Sequence, residues 1–152
     1  HRDVTHPCIN LLEHLREDIG ETGTVFVWYE NFEKSRNDEM AEMFTEYRSF
    51  LQNLNDRVLD LMIPFKNNWF IDKDFFGSAS IKKVMPVLAK DLSYKILGIQ
   101  EGATAQRKWM DVVLRGKNEK DKEVIFKDLI EYCKMDTFAM VRIFKYLKEA
   151  IS

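Results

Sequence analysis

An aspartate lies at the centre of the apolar face of the last predicted helix. At about 100° per residue, the side chains within about 40° of Asp136 are Ile125, Leu129, Tyr132, Met140, Ile143 and Leu147. Because an unpartnered buried carboxylate costs on the order of several kcal/mol, it must be paired, protonated or bound to a cation. Tyr132, one turn earlier, can bring its hydroxyl to the same place. Two interpretations stay open: a cation-binding acid, or a core aspartate that caps a helix or pairs with Lys or Arg.

A second acid follows an apolar segment at residues 24–29. Glu33 begins the predicted next helix and shares a face with Arg36, Met40 and Met43, and the two methionines are expected on the core side of that helix. Since open α/β sheets build their sites at the carboxyl ends of strands, this position predicts a site residue. The alternative is that Glu33 only interacts favourably with the dipole of its helix.

A third acid, Asp60, lies in the middle of the second predicted strand, at residues 57–63. Alternation places its side chain opposite Leu59 and Leu61. Asp60 therefore either faces a site or lies on the solvent side of an edge strand.

The elements that must position these acids are read from hydrophobic spacing and turn residues. The two apolar segments predict strands, the first buried on both faces as in a parallel sheet, and Pro64 is expected to stop the second. Asn31 resembles a helix N-cap. Helices are predicted at residues 11–19, 31–44, 45–55, 81–88, 103–114 and 123–150. This order predicts a helix-rich α/β fold.

Composition narrows the class of protein. The 152 residues carry 23 basic and 25 acidic side chains, which excludes a bulk polycation that binds nucleic acid by charge alone. Cys8 and Cys133 are too few for a four-cysteine zinc site or a disulfide framework, so we expect a reducing, cytoplasmic setting. The apolar runs are too short to span a membrane. The start at His1, without Met, predicts that the single domain at residues 1–152 is a fragment of a larger protein.

Several segments together resemble a known nuclease superfamily. Residues 132–136, Tyr-Cys-Lys-Met-Asp, fit the Tyr-x-x-x-Asp third motif of the DEDD superfamily of 3′–5′ exonucleases, in its tyrosine version. Asn31-Phe32-Glu33 resembles the second motif, Asn-x-x-Phe-Asp. Residues 58–61 and 80–84 resemble a strand and a Ser-Leu-Lys-x-Leu helix of those enzymes. With Gln100-Glu101-Gly102, the order is similar to a bacterial domain-of-unknown-function family placed among ribonuclease H-like nucleases.

The chain departs from the superfamily at two motifs. Tyr29 stands where the second motif has Asn, and Glu33 stands where it has Asp. The first motif, Asp-x-Glu on the opening strand, is absent before residue 24. The resemblance therefore implies an incomplete ribonuclease H-like fold that lacks its opening strands. We expect the exposed edge of the strand at residues 24–29 to be covered, either by a homodimer contact or by a rearranged N-terminal segment.

The resemblance implies a two-metal mechanism on DNA or RNA. Two Mg²⁺ or Mn²⁺ ions, held by carboxylates, activate a water and stabilise the leaving oxygen. Asp136 would be a direct metal ligand, Tyr132 would position the attacking water, and Glu33 would support the second metal. Because the first motif is missing, we expect this chain alone to bind metal weakly and to be inactive.

Further residues receive supporting roles. Asp60 and Arg36 are candidates for support of the site, and Lys82 and Lys83, at the head of a helix, for contact with phosphate. The alternative function is a non-catalytic helical interaction module of a larger protein. Tyr29 and the missing first motif favour that alternative.

Overall fold

The chain forms two compact units, at residues 1–67 and 68–152. A computed structural model describes residues 7–150, so residues 1–6 and 151–152 of the predicted single domain lie outside the described part. Each unit has its own core and is described by itself. The prediction of one domain over the whole chain stays a prediction.

The first unit is a small parallel sheet with helices in its connections. Its elements are α1 (Pro7–Ile19), β1 (Val25–Val27), α2 (Glu30–Met43), α3 (Arg48–Asp56), β2 (Val58–Asp60) and α4 (Ile63–Lys66). Strands β1 and β2 pair in parallel, with Val25 opposite Val58 and Val27 opposite Asp60. The parallel pairing predicted from the apolar segments is therefore confirmed. Within the described residues this sheet has two strands, and the homodimer through its edge stays a prediction.

Both strands are shorter than the apolar segments that contain them. After Val27 the chain turns, because Tyr29 adopts a left-handed conformation with a φ of 76° immediately before α2. The expected stop at Pro64 is wrong, since β2 already ends at Asp60. Pro64 lies instead in the first turn of α4, where its missing N–H needs no partner.

The core of the first unit joins α1, α2 and α3. Its buried members are Leu12, Ala41, Tyr47, Phe50, Leu51 and Leu54. Val25 and Val58 pack against this cluster from the two strands. On α2 the expected inward Met43 is exposed, whereas Asn37 is buried and donates a hydrogen bond to Asn55 at 2.8 Å. A polar contact between α2 and α3 thus replaces part of the predicted apolar face.

The second unit is helical and contains α5 (Ile81–Leu88), α6 (Gly102–Val113) and α7 (Lys122–Ala150). Short 3₁₀ segments lie at Lys73–Phe75, Tyr94–Ile96 and Glu119–Asp121. The apolar arc predicted for the last helix is confirmed, because Ile125, Tyr132 and Ile143 are buried and Asp136 is partly buried among them.

Together the described elements confirm a helix-rich α/β chain with one short parallel sheet. No helix within residues 7–150 combines the length and the apolar character needed to cross a membrane.

Candidate functional site

The carboxylate of Asp136 is held by a phenol hydroxyl. Tyr94 donates a hydrogen bond from its hydroxyl to Asp136 Oδ1 at 2.5 Å, across 42 residues of sequence. Tyr132 lies one helical turn before Asp136 on α7, and the charge of Asp136 contributes to the raised pKa of its phenol. The two tyrosine rings lie 6.1 Å apart with an angle of 47° between their planes. The structure therefore brings together Tyr132 and Asp136, as predicted, and adds Tyr94.

Burial and the adjacent carboxylate keep both phenols protonated. Burial raises the pKa of Tyr132 to about 12, with a further contribution from the charge of Asp136. Burial, followed by the hydrogen bond to Asp136, also raises the pKa of Tyr94 far above that of a free phenol. Both hydroxyls are thus hydrogen-bond donors at neutral pH.

Tyr94 also lines an open cleft of about 1090 Å³ within the second unit. Four lysines lie on its wall: Lys82, Lys83, Lys90 and Lys95. Phe76 adds an aromatic ring, and Asp72, Asp74 and Glu101 add negative charge. A cleft that combines lysines with aromatic rings suits a ligand that carries phosphates and flat bases.

Two of the lysines lie over aromatic rings. Lys82 Nζ is 5.9 Å from the centre of the Tyr94 ring, and Lys83 Nζ is 5.3 Å from the centre of the Phe76 ring. Both belong to the first turn of α5, and the Phe76 side chain is 77% exposed. These cation–π contacts restrain the two ammonium groups at the cleft without neutralising them.

The structure excludes one of the two environments predicted for Asp60. The side chain is 5% exposed, so its placement on the solvent side of an edge strand is wrong. Its carboxylate accepts hydrogen bonds from the backbone N–H groups of Tyr29 (2.9 Å), Glu30 (3.1 Å) and Met62 (2.9 Å). Asp60 therefore accepts hydrogen bonds from backbone amides at the start of α2, a capping role that we predicted for Asn31. The N-cap at Asn31 is wrong, because α2 begins at Glu30.

Glu33 lies in the first turn of α2 and is half-buried. Burial raises the pKa of its carboxyl above the ordinary value. Arg36, predicted to support it, forms an ion pair with Glu39 at 2.5 Å and lies over the ring of Phe32. Glu33, Arg36 and Asp60 belong to the first unit, whereas Tyr132 and Asp136 belong to the second.

The described residues do not build a metal site by themselves. Across residues 7–150, no group of three or more His, Cys, Asp or Glu side chains is arranged to hold a metal ion. Asp136 offers one hard oxygen ligand, and a Mg²⁺ or Mn²⁺ site needs several.

Sequence reasoning missed Tyr94, Phe76, Lys90 and Lys95. Lys90, Tyr94 and Lys95 lie between α5 and α6, and Phe76 lies before α5. The contribution of these residues depends on how the loops fold, and the Tyr94–Asp136 contact spans 42 residues. Helical spacing gives no signal for such a contact. The only local cue was the mixture of lysines and aromatic residues between residues 76 and 95.

Three similar proteins come from Mycoplasma and Ureaplasma species. Uncharacterized protein MG366 of Mycoplasma genitalium is 29% identical over 136 residues, which cover 82% of this chain and 20% of that protein. The MG366 homolog of Mycoplasma pneumoniae is 30% identical, covering 83% and 21%. Uncharacterized protein UU173 of Ureaplasma parvum is 26% identical, covering 82% and 20%. The chain thus spans about a fifth of the length of these relatives.

No solved structure matches the chain. A family described as "Domain of unknown function (DUF2779)" matches residues 1–80, which is more than half of the sequence. This match and the bacterial relatives confirm the expectation of a bacterial domain-of-unknown-function family. The chain belongs to the DUF2779 family.

Proposed function

We propose that this chain is part of a metal-dependent 3′–5′ exonuclease of ribonuclease H-like fold, which hydrolyses phosphodiester bonds of DNA or RNA. Asp136 and Tyr132 belong to its active site. The observation that carries the proposal is the Asp136 carboxylate on the apolar face of α7, which accepts a hydrogen bond from the Tyr94 phenol in the same unit as a lysine-bearing cleft.

The partners of Asp136 favour chemistry over simple structural pairing. A capping aspartate places its oxygens on backbone amides, as Asp60 does. Asp136 instead accepts a hydrogen bond from the side-chain hydroxyl of Tyr94. Because a carboxylate has about four lone-pair sites, this bond leaves capacity to bind a cation. Asp136, which the Tyr-x-x-x-Asp motif identifies as a metal ligand, therefore keeps lone pairs with which to coordinate a metal ion.

Each side chain of the proposed active site is assigned a separate role. Lys82 and Lys83 bind backbone phosphates of the strand by charge. Tyr132, protonated at neutral pH, uses its hydroxyl to orient the attacking water. Mg²⁺ or Mn²⁺, when bound, supplies Lewis-acid activation of that water.

The resemblance assigns the remaining metal ligands to the first motif, Asp-x-Glu, which is absent before residue 24, and the described residues form no metal cluster of their own. We therefore expect this chain in isolation to bind Mn²⁺ weakly and to leave nucleic acid intact. The ribonuclease H-like assignment draws support from the parallel β1–β2 pair and from the long final helix that carries the Tyr-x-x-x-Asp motif.

The test is hydrolysis of 3′-labelled single strands of DNA and of RNA by the full-length protein with Mn²⁺. Asp136→Asn is expected to lower kcat at least about 100-fold, because it removes a charged ligand at the reacting centre. Asp91→Asn is the matched control. Asp91 is a second aspartate of the same unit, ion-paired at 2.8 Å with Arg142 of α7, and its variant should stay within about threefold of wild type.

The outcomes separate the two functions considered. Loss of hydrolysis in Asp136→Asn but not in Asp91→Asn supports the nuclease. A wild-type protein that hydrolyses neither strand, or an Asp136→Asn variant with full activity, contradicts it and favours the non-catalytic helical interaction module.

A further inference from the structure

Tyr94 lies in a short turn that local hydrogen bonds hold in place. The segment is the 3₁₀ turn Tyr94–Ile96 between α5 and α6. The side chain of Ser93 caps this turn by accepting a hydrogen bond from the Lys95 amide at 3.2 Å. Only 7% of the Tyr94 residue is exposed. The turn and the burial together fix the direction in which the ring points.

The two ends of the Tyr94 side chain contact different parts of the second unit. The hydroxyl donates to Asp136 Oδ1 on α7. The ring lines the lysine cleft and carries Lys82 Nζ over its face. One buried side chain thus connects the wall of the cleft to the carboxylate.

A carboxylate needs a fixed donor to present one orientation. Asp136 can rotate about its terminal bond, and this rotation exchanges the roles of its two oxygens. A hydrogen bond from a fixed phenol selects one rotation and leaves the other oxygen to its remaining partners. Groups that orient a ligand in this way typically change metal affinity or activity about 10- to 100-fold when removed.

We propose that Tyr94 is a positioning residue for Asp136. Its hydroxyl sets the orientation of the carboxylate, and Tyr94 itself does not contact the reacting atoms. The proposal rests on the proposed nuclease function for its catalytic consequence. The orientation of Asp136, however, can be measured without any activity.

The kinetic experiment uses Tyr94→Phe in the full-length protein. This substitution removes one oxygen and keeps the ring that Lys82 contacts. We expect kcat to fall about 10- to 100-fold, as for loss of an orienting partner. The KM for the strand, and its affinity measured by fluorescence anisotropy without metal, should change less than about twofold. Tyr47→Phe is the control, because Tyr47 has the same burial but lies in the core of the first unit.

The second experiment reports on orientation directly in the metal-free protein. The Asp136 Cγ resonance is identified in ¹³C-aspartate-labelled protein by its loss in Asp136→Asn. Tyr94→Phe is expected to shift or broaden that resonance, and Tyr47→Phe is expected to leave it unchanged. Melting temperatures establish that each variant is folded under the conditions of the measurement.

Each outcome bears on one proposal. An unchanged Asp136 resonance in Tyr94→Phe overturns the positioning role. A raised KM with unchanged kcat also overturns it, because Tyr94 would then act through the cleft alone. A shifted resonance in a protein that hydrolyses no strand supports the positioning contact and contradicts only the nuclease function.

Discussion

Asp60 and Asp136 are two partly or fully buried acids with opposite kinds of partner. Asp60 places its carboxylate on three backbone N–H groups, from Tyr29, Glu30 and Met62. Asp136 accepts a hydrogen bond from the side-chain hydroxyl of Tyr94, and Tyr132 lies one helical turn away on α7. Backbone amides at a helix start need an acceptor, and an acid that meets this need stabilises the fold. An acid whose partner is a side chain, in the same unit as a lysine-bearing cleft, does not serve this capping role and is free to serve as a metal ligand.

The origin of each arrangement explains the difference. Parallel pairing sets Val27 opposite Asp60, so the amides that begin α2 lie next to the end of β2. The position of Asp60 therefore follows from the register of the sheet. Asp136 depends on Tyr94 from another part of the second unit, and no regular element requires that contact.

Asp60→Ala should give the largest change in stability. Its three backbone donors lose their acceptor in a buried place, so we expect the free energy of unfolding to fall by about 2–4 kcal/mol. Urea denaturation followed by circular dichroism measures the change. Asp56→Ala is the control, since Asp56 is an exposed acid nearby and its loss should matter by less than about 0.5 kcal/mol. Equal losses of stability in the two variants would show that capping by Asp60 does not stabilise the fold.

Tyr132→Phe should lower hydrolysis rather than stability. The ring keeps its packing beside Tyr94, but the hydroxyl that would orient water is lost, so kcat should fall about 10- to 100-fold. Steady-state kinetics of the full-length protein, with Tyr47→Phe as control, give the comparison. If kcat stays at the wild-type value, Tyr132 belongs to the packing of α7 alone.

The double variant Lys82→Ala/Lys83→Ala should weaken strand binding. Each phosphate contact on a single strand contributes about 0.7 to the slope of log affinity against log salt, so the slope should fall by up to about 1.4. Fluorescence anisotropy at several salt concentrations measures it. Lys127→Ala/Lys134→Ala, exposed lysines of α7 away from the cleft wall, form the control pair. A slope that is unchanged in the Lys82/Lys83 variant excludes these lysines from phosphate binding.

Glu33→Gln should have the smallest effect, and its sign follows from the raised pKa. Since burial raises the pKa of Glu33 above 4.5, the folded state holds its proton more tightly than the unfolded state. Stability contributed by this group is present below pH 4.5 and is lost as pH rises through the folded pKa. At neutral pH Glu33→Gln should therefore raise Tm slightly, within about 3 °C, as measured by calorimetry. At pH 4 the variant and wild type should agree more closely, and a lowered Tm at neutral pH would mean that the charged form is stabilised.

The sequence predicted elements and single faces better than contacts between distant segments. The spacing of α7 placed Asp136 correctly among Ile125, Tyr132 and Ile143, because helical periodicity is local. The parallel strands were predicted by their apolar character. The partner of Asp136 and the capping by Asp60 were not, since both contacts join segments at least 30 residues apart. For Asp60, strand alternation allowed two environments, a site or the solvent side of an edge strand, and did not decide between them.

The most direct test of the contrast compares Asp60→Asn with Asp136→Asn in the full-length protein, measuring both unfolding and hydrolysis of a labelled strand with Mn²⁺. We expect Asp136→Asn to lower kcat at least about 100-fold while the free energy of unfolding changes by less than about 1 kcal/mol. We expect Asp60→Asn to lower the free energy of unfolding by more than about 1 kcal/mol, with kcat per folded molecule within about fivefold of wild type. The reverse pattern, an unstable Asp136→Asn with full kcat and a stable Asp60→Asn without activity, would contradict this contrast.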